Sequence, residues 1–258
     1  MLEELPPKTE VVRTVVLSPR ERELYEAVRR VVSDEVRDAL RKKGLGLSRI
    51  VVLEALLRLR QICCDARLAK RIEDPPESSS KLAELMALLE PLLASGRRVL
   101  VFSQFTKMLD LIAAKLDAAK QPYLMLTGRS RKRQDLVDRF QAKEVPLMLV
   151  SLKAGGTGLN LTAADTVVLY DPWWNPAVEQ QAIDRTHRIG QERPVTVYRL
   201  VCEGSVEERI LSLQDHKRAL AQAVQADAGR TAGRTGFSLS EEDVETLLAP
   251  LPRPADES

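Results

Sequence analysis

Aromatic residues are scarce in this chain, at 4% of 258 residues, and only two of them are tryptophan. Histidine (two) and cysteine (three) are scarce as well. Cys63 and Cys64 are adjacent and Cys202 stands alone, so there is no Cys-x-x-Cys pair and a zinc site is not expected. An odd thiol count without a disulfide framework suits a reducing interior. Charged residues interrupt every apolar run before it is long enough to span a bilayer. The N-terminus is charged and proline-containing, unlike a signal peptide. These absences point to a soluble, cytoplasmic protein. No glycine precedes a lysine, which excludes the Gly-Lys-Ser/Thr ending of a phosphate-binding P-loop. No Ser-His-Asp set is apparent. His187 sits in an arginine-rich run and His216 on a late helix, and a hydrogen-bonding or surface role is expected of each.

Hydrophobic residues make up 44%, enough for one substantial core with appendages. The net charge of +2 hides an asymmetry. Residues 239–258 carry six acids against one base, net −5, which leaves the rest of the chain at +7. A basic body with an acidic tail is compatible with a polyanion partner.

The early chain reads as extended through Val11, Val12, Val15 and Val16. A helix follows, with Ser18 as N-cap, Pro19 at the first helical position and Glu21 closing a capping box. It should stop at Gly44. A second helix is expected over roughly 49–64, then a Pro- and Ser-rich linker over 74–80. From Lys81 the pattern changes. Short apolar runs at 99–103, 123–126, 147–151, 167–170 and 195–200 alternate with helical stretches near 107–119 and 130–142. Near-continuous apolar strands between amphipathic helices predict an α/β fold with a parallel sheet covered on both faces. Ser205 and Glu208 predict another capping box and a helix from Val206 to about 225. Residues 229–236 read as a flexible basic linker, and 240–248 as a short terminal helix. The expected segments are an extended lead-in with early helices (1–80), an α/β layer that is RecA-like or Rossmann-like (81–204), a long helix (205–228) and a flexible basic linker with an acidic tail (229–258).

Four segments carry chemistry. On a helix, Gln181, Arg185 and Arg188 would share one ridge, where two guanidiniums can grip a multiply charged oxyanion such as a nucleotide γ-phosphate. Ser151 to Leu161 follows a strand and holds three glycines in four positions, which lets backbone amides approach an anion. Its spacing is a poor dinucleotide fingerprint. Asp171-Pro172-Trp173-Trp174-Asn175-Pro176 places both indoles on a loop. One can stack on a base or sugar while the other anchors the loop to the core. Ser103-Gln104, Thr127-Gly128 and Lys153 recur at strand carboxyl ends, where open α/β sheets bind ligands. Arg129, Arg131, Lys132 and Arg133 thicken that edge and suit phosphate contact.

Taken in order, Val99–Phe105, Gly128 with Arg133 and Phe140, Ser151–Leu161, Asp171–Pro176 and Gln181–Gln191 resemble the second RecA-like lobe of SWI/SNF-type DNA translocases, in superfamily two of helicase-like ATPases. The match continues through Gly204–Ile210 and, upstream, Leu5-Pro6-Pro7-Lys8 and Leu59–Cys63. The resemblance implies a RecA-like parallel sheet flanked by helices, with an N-terminal helical protrusion and a C-terminal brace helix. It implies ATP and Mg²⁺ in a cleft between two lobes, with the phosphate loop and the Mg²⁺-binding acids on the first. Arg185 and Arg188 would be arginine fingers with Gln181 beside them. Gly156, Gly158, Asn160 and Asp184 would face the nucleotide. Ser103, Gln104, Thr127, Gly128, Arg133, Ser151, Lys153 and Trp174 would touch double-stranded DNA. No first lobe is legible, so the chain is expected to need one, in cis or in trans, and to be inactive alone. A bacterial, nucleoid-associated setting is expected. The rival readings are a non-catalytic nucleic-acid-binding module, a dinucleotide enzyme on a Rossmann sheet, and a lobe of an RNA-directed helicase.

Overall fold

Five apolar runs and one N-terminal extended segment pair into a six-stranded sheet in the order β1-β6-β5-β2-β4-β3. The computed structural model describes residues 5–70, 72–77, 79–155, 159–173, 175–228 and 239–252. The strands are β1 (Lys8–Val15), β2 (Val99–Ser103), β3 (Leu124–Leu126), β4 (Leu147–Ser151), β5 (Thr166–Leu169) and β6 (Val195–Cys202). β2 is central. It runs parallel to β4 from Val99↔Leu147 to Ser103↔Ser151, and parallel to β5 from Val99↔Thr166 to Phe102↔Leu169. β3 lies parallel to β4, and β6 parallel to β5.

Every residue of β2, β4 and β5 is buried, which is why these runs read as continuous rather than alternating. Leu100 and Phe102 of β2 join Met148, Val150, Val167 and Leu169 in one cluster with Val137 and Phe140 of α4 (Arg133–Gln141) and Ala182 and Ile183 of α6 (Pro176–Ile183). Val99 and Val101 alternate to the opposite face. There α2 (Ser80–Ala94) and α3 (Thr106–Ala118) pack on β2 through faces that include Leu85, Leu89, Leu109 and Ile112. The result is the expected RecA-like layer, with its strand carboxyl ends gathered on one edge.

The chain divides into two compact units, Met1–Val15 with Ser78–Val201, and Val16–Glu77 with Cys202–Ser258. The lead-in strand β1 therefore belongs with the sheet, whereas the sequence grouped it with the helical protrusion. Pairing explains this: Val195 N–H donates to Pro7 O at 3.0 Å, and Arg199 of β6 reaches Glu10 at 3.1 Å.

The second unit is helical. α1 (Pro19–Cys64) begins at the expected capping box of Ser18 and Glu21. It is broken at Gly44, whose φ of 68° and ψ of 171° leave the helical region. The helix then resumes at once, earlier than the sequence indicated. α7 (Val206–Ala228) starts with a shifted cap: Glu207 N–H donates to Ser205 Oγ at 3.1 Å, while Glu208 takes the N–H of Gly204, not of Ser205. Tyr25 Oη, buried on α1, accepts the N–H of Val206 at 2.9 Å.

α8 (Glu241–Leu247) is capped reciprocally by Ser240 and Asp243. It falls where the sequence expected a short terminal helix, over 240–248, and residues 239–252 are tied down by hydrogen bonds. Arg22, Arg29 and Arg209 donate to the carbonyls of Pro252, Leu248, Ala249 and Pro250, and Glu26 accepts from Leu251 N–H. The expected basic linker at 229–236 lies outside the described residues. No helix among the described residues is long and apolar enough to cross a membrane.

Candidate functional site

α6 starts where Asn175 Oδ1 accepts Ala177 N–H at 3.0 Å and Pro176 occupies the first turn. It ends at Ile183, capped by Asp184, so the ridge expected across Gln181, Arg185 and Arg188 is not one helix face. Gln181 is exposed on α6, and the two arginines follow in successive turns. At the stop Thr186 N–H bonds Ile183 O at 2.9 Å, three residues back rather than four, and the turn that follows is pinned through two carbonyls. Arg185 O accepts from Leu161 N–H at 3.1 Å, and Thr186 O from Gln191 Nε2 at 3.0 Å. Those oxygens would otherwise serve the amides one helical turn later. Gly190, at φ 98°, then reverses the chain.

The two arginines nonetheless stay together. Arg185 is half-buried and donates from Nη1 to Leu159 O at 3.2 Å, while its Nε is buried without a partner among the described residues. Burial holds its pKa below the usual guanidinium value, the charge of Arg188 lowers it further, and Asp184 opposes both. Arg188 is exposed, and its side chain makes no hydrogen bond or ion pair among the described residues. Two like charges within electrostatic reach, with no carboxylate bridging them among the described residues, suit a polyanion. Asp184 accepts from Gln180 Nε2 at 2.6 Å. Asn160 is exposed on the loop that Arg185 touches. Gly156 and Gly158 lie outside the described residues.

At the strand carboxyl ends, Ser103 departs from expectation. It is fully buried, and its hydroxyl donates to Asp171 Oδ1 at 2.5 Å and accepts Phe105 N–H at 3.1 Å, so it orders the strand end from inside. Gln104 follows it, half-buried, with its N–H on Asp171 Oδ2 at 3.2 Å. Ser151 ends β4 with its hydroxyl buried and unpartnered among the described residues. Lys153 sits on the single turn α5 (Leu152–Gly155).

Thr127 builds a tight turn after β3. Its N–H donates to Ser130 Oγ at 3.0 Å, and its Oγ1 accepts Arg129 N–H at 3.2 Å. Gly128 is exposed at the tip and accepts from Arg133 Nη2 at 3.4 Å. Arg129, Arg131 and Lys132 are exposed beside it. Lys132 is an N-cap with no side-chain cap bond, an arrangement that opposes the helix dipole and is eased by Asp135 in the first turn.

Of the two indoles, Trp173 packs against the sheet cluster, as one was expected to, and Trp174 lies outside the described residues. The loop is held by a carboxylate the sequence did not single out. Glu179, 2% exposed, accepts Trp173 N–H at 2.5 Å and pairs with Arg199. Burial pushes its pKa up, against the pull of Arg199 and the Trp173 N–H. His187 has the expected hydrogen-bonding role, with Nε2 2.7 Å from Pro6 O. Gln191 was quoted in the motif but given no role, and its side chain bonds Thr162 O, Ala164 O, Thr186 O and Arg193 N–H. Its signal, one amide after a run of turn residues, is too common to read without coordinates.

These turns and loops have counterparts in known proteins. The helicase conserved C-terminal domain family matches residues 80–190. In the solved SWI2/SNF2 ATPase of Sulfolobus solfataricus, the C-terminal domain superposes with a TM-score of 0.72 and 28% identity, over 94% of this chain and 99% of that one. The chain is a SWI/SNF-type C-terminal lobe. Among full-length relatives of the lobe, the Bacillus subtilis protein named putative ATP-dependent helicase/translocase YwqA is 37% identical across 95% of this chain. The mouse chromatin-remodeling ATPase INO80 is 48% identical across 57% of it. The lobe spans 26% of the first and 10% of the second. It also superposes on the Sulfolobus core in complex with double-stranded DNA, with a TM-score of 0.71 and 28% identity, over 96% of this chain and 51% of that chain.

Donor chemistry separates what this lobe suits from what it does not. Paired guanidiniums fit a triphosphate. Mg²⁺ requires oxygen ligands in octahedral geometry. The metal-type cluster found among the described residues, Cys63, Cys202 and Glu207, offers two thiols and so does not fit it.

Proposed function

We propose that this lobe is the arginine-bearing half of an ATP-driven motor on double-stranded DNA. The observation that carries the reading is the neighbouring pair Arg185 and Arg188, which feel each other's charge and are unbridged by any carboxylate among the described residues. A first lobe, in the same chain or in a partner, would hold the phosphates and Mg²⁺. Gln181, Asn160 and Asp184 would border the nucleotide, together with Gly156 and Gly158. When ATP is bound, a dissociating γ-phosphoryl group spreads negative charge over its oxygens, and such charge is what an arginine finger offsets. Removing a finger lowers turnover by about 10³-fold or more.

The strand-end edge would hold the DNA backbone through Gln104, Thr127, Gly128, Arg133, Ser151, Lys153 and Trp174, with Ser103 ordering the strand end from within. Two relatives support the reading by their names, and one neighbouring core is solved on duplex DNA. Because the fingers and the phosphate loop belong to different lobes, turnover requires a closed cleft, which ties hydrolysis to motion along DNA. The lobe alone does not hydrolyse ATP on this reading.

The test uses the two-lobed protein that contains this lobe. Arg185→Ala and Arg188→Ala should each abolish DNA-stimulated ATP turnover while duplex binding, read by fluorescence anisotropy, stays within about threefold. Parent turnover in either variant rejects that residue as a finger. DNA-stimulated hydrolysis by the isolated lobe rejects its dependence on a first lobe.

A further inference from the structure

Two segments meet beside Arg185: the loop 159–164, which continues from the glycine-rich stretch, and the turn 184–191, which carries both arginines. Gln191, 9% exposed, fastens them. Its Nε2 donates to Thr162 O at 3.1 Å and Ala164 O at 2.7 Å on the loop, and to Thr186 O at 3.0 Å on the turn. Its Oε1 accepts Arg193 N–H at 2.9 Å, and its own N–H closes on Arg188 O at 3.0 Å. Two more bonds join the same segments, Leu161 N–H to Arg185 O at 3.1 Å and Arg185 Nη1 to Leu159 O at 3.2 Å.

The chemistry asks for glutamine. Three carbonyl oxygens converge on one nitrogen, which has two hydrogens to share among them. The opposite atom of the same group must accept. Glutamate would turn a carboxylate oxygen toward three carbonyls. Lysine has no acceptor for Arg193 N–H. Asparagine is one methylene short. A half-buried guanidinium that makes one hydrogen bond of its own among the described residues is held in place mainly by its backbone, and here the backbone is held by Gln191.

We propose that Gln191 is a positioning residue for Arg185. It locks the arginine turn to the 159–164 loop, so that the two travel as one body and a displacement of the glycine-rich stretch is delivered to the arginine. The proposal rests on the arginine-finger reading above, and its test separates the two. In the two-lobed protein, Gln191→Glu and Gln191→Asn are compared with Arg185→Ala and the parent. DNA-stimulated ATP turnover is measured together with amide hydrogen exchange at Leu161, whose N–H bonds Arg185 O. For the Gln191 variants kcat should fall by about tenfold to a hundredfold, the range that a displacement of ~1 Å produces. KM for ATP and duplex affinity should change by less than about threefold, and Leu161 should lose protection. Loss of folding alone would not produce that split.

If Arg185→Ala retains parent turnover, the finger reading fails and this proposal with it. If Arg185→Ala is inactive while both Gln191 variants keep parent kcat and Leu161 protection, only the positioning role is overturned. Should neither variant fold, the parent still decides. A Leu161 amide that exchanges as fast as exposed loop amides refutes the lock, and one protected like the β4 amides supports it.

Discussion

Ser103 Oγ donates to Asp171 Oδ1 at 2.5 Å, joining the end of β2 to the residue just beyond β5. The second carboxylate oxygen takes Gln104 N–H at 3.2 Å. One buried carboxylate thus shapes the exit of the central strand, where the candidate DNA edge begins. Asp171→Ala would leave a fully buried hydroxyl and a half-buried amide without this acceptor. Such a loss costs about 1–3 kcal/mol. The expected outcome is a lower urea midpoint for the lobe with an unchanged m-value. An unchanged midpoint would show that the carboxylate does not organise the strand end.

A larger effect is expected at Glu179. Its carboxylate is buried between Trp173 N–H and Arg199, and Arg199 also reaches Glu10 on β1. Removing one partner of a buried pair typically costs roughly 3–5 kcal/mol. The Arg199 side chain is 16% exposed and keeps Glu10, which puts Glu179→Ala at the lower end of that range. Chemical denaturation followed by tryptophan emission reads both the stability and the environment of the Trp173 loop. Parent stability with parent emission would refute this assignment.

Gly204 has a backbone and a packing reason to be glycine. Its φ is +62°, and a Cβ there would lie 2.2 Å from Pro252 Cδ. Gly204→Ala should push the segment 249–252 off α7 and weaken the carbonyl bonds made by Arg209 and Arg22. The backbone penalty of roughly 1 kcal/mol adds to an overpacking cost of about 1–3 kcal/mol. Limited proteolysis followed by mass spectrometry should show faster cleavage near the C-terminus, with the sheet unit intact. Equal cleavage in variant and parent would mean that this contact does not hold the segment.

The sheet was legible because its strands are buried on both faces. The runs at 99–103 and 147–151 coincide with β2 and β4, as continuous apolar stretches between helices allow. Helix starts were legible at Ser18 and Ser240, where a side chain performs the cap, whereas the side-chain caps at Ser79 and Asn175 were not read. At Ser205 the cap shifted by one residue because Gly204, in a left-handed conformation, presents its own N–H to Glu208. The restart of α1 immediately after Gly44 was not legible, since a glycine at positive φ stops one helix without saying how soon another begins.

The arginine turn shows where the sequence-level argument stopped. A 3.6-residue period places 181, 185 and 188 on one ridge, and that period fails once Ile183 ends the helix. There Thr186 N–H reaches back only to Ile183 O, and the turn beyond is pinned from elsewhere in the chain, by Leu161 N–H on Arg185 O and the Gln191 side chain on Thr186 O. Ser103 was misjudged for a related reason. Its strand-end position was right, but its direction depends on Asp171, 68 residues away.

By itself, the order of residues determined the layered α/β architecture and the helix starts at Ser18 and Ser240, and it singled out Arg185 and Arg188 as the candidate pair. Each of these depends on neighbours within a few positions or on apolar content alone. Only the tertiary structure decided that the arginines leave their helix yet stay adjacent, that Gln191 fastens their turn to the 159–164 loop, and that residues 239–252 pack down. Those outcomes depend on which distant donor reaches which carbonyl, and a hydrogen bond selects its partner by distance and angle in space.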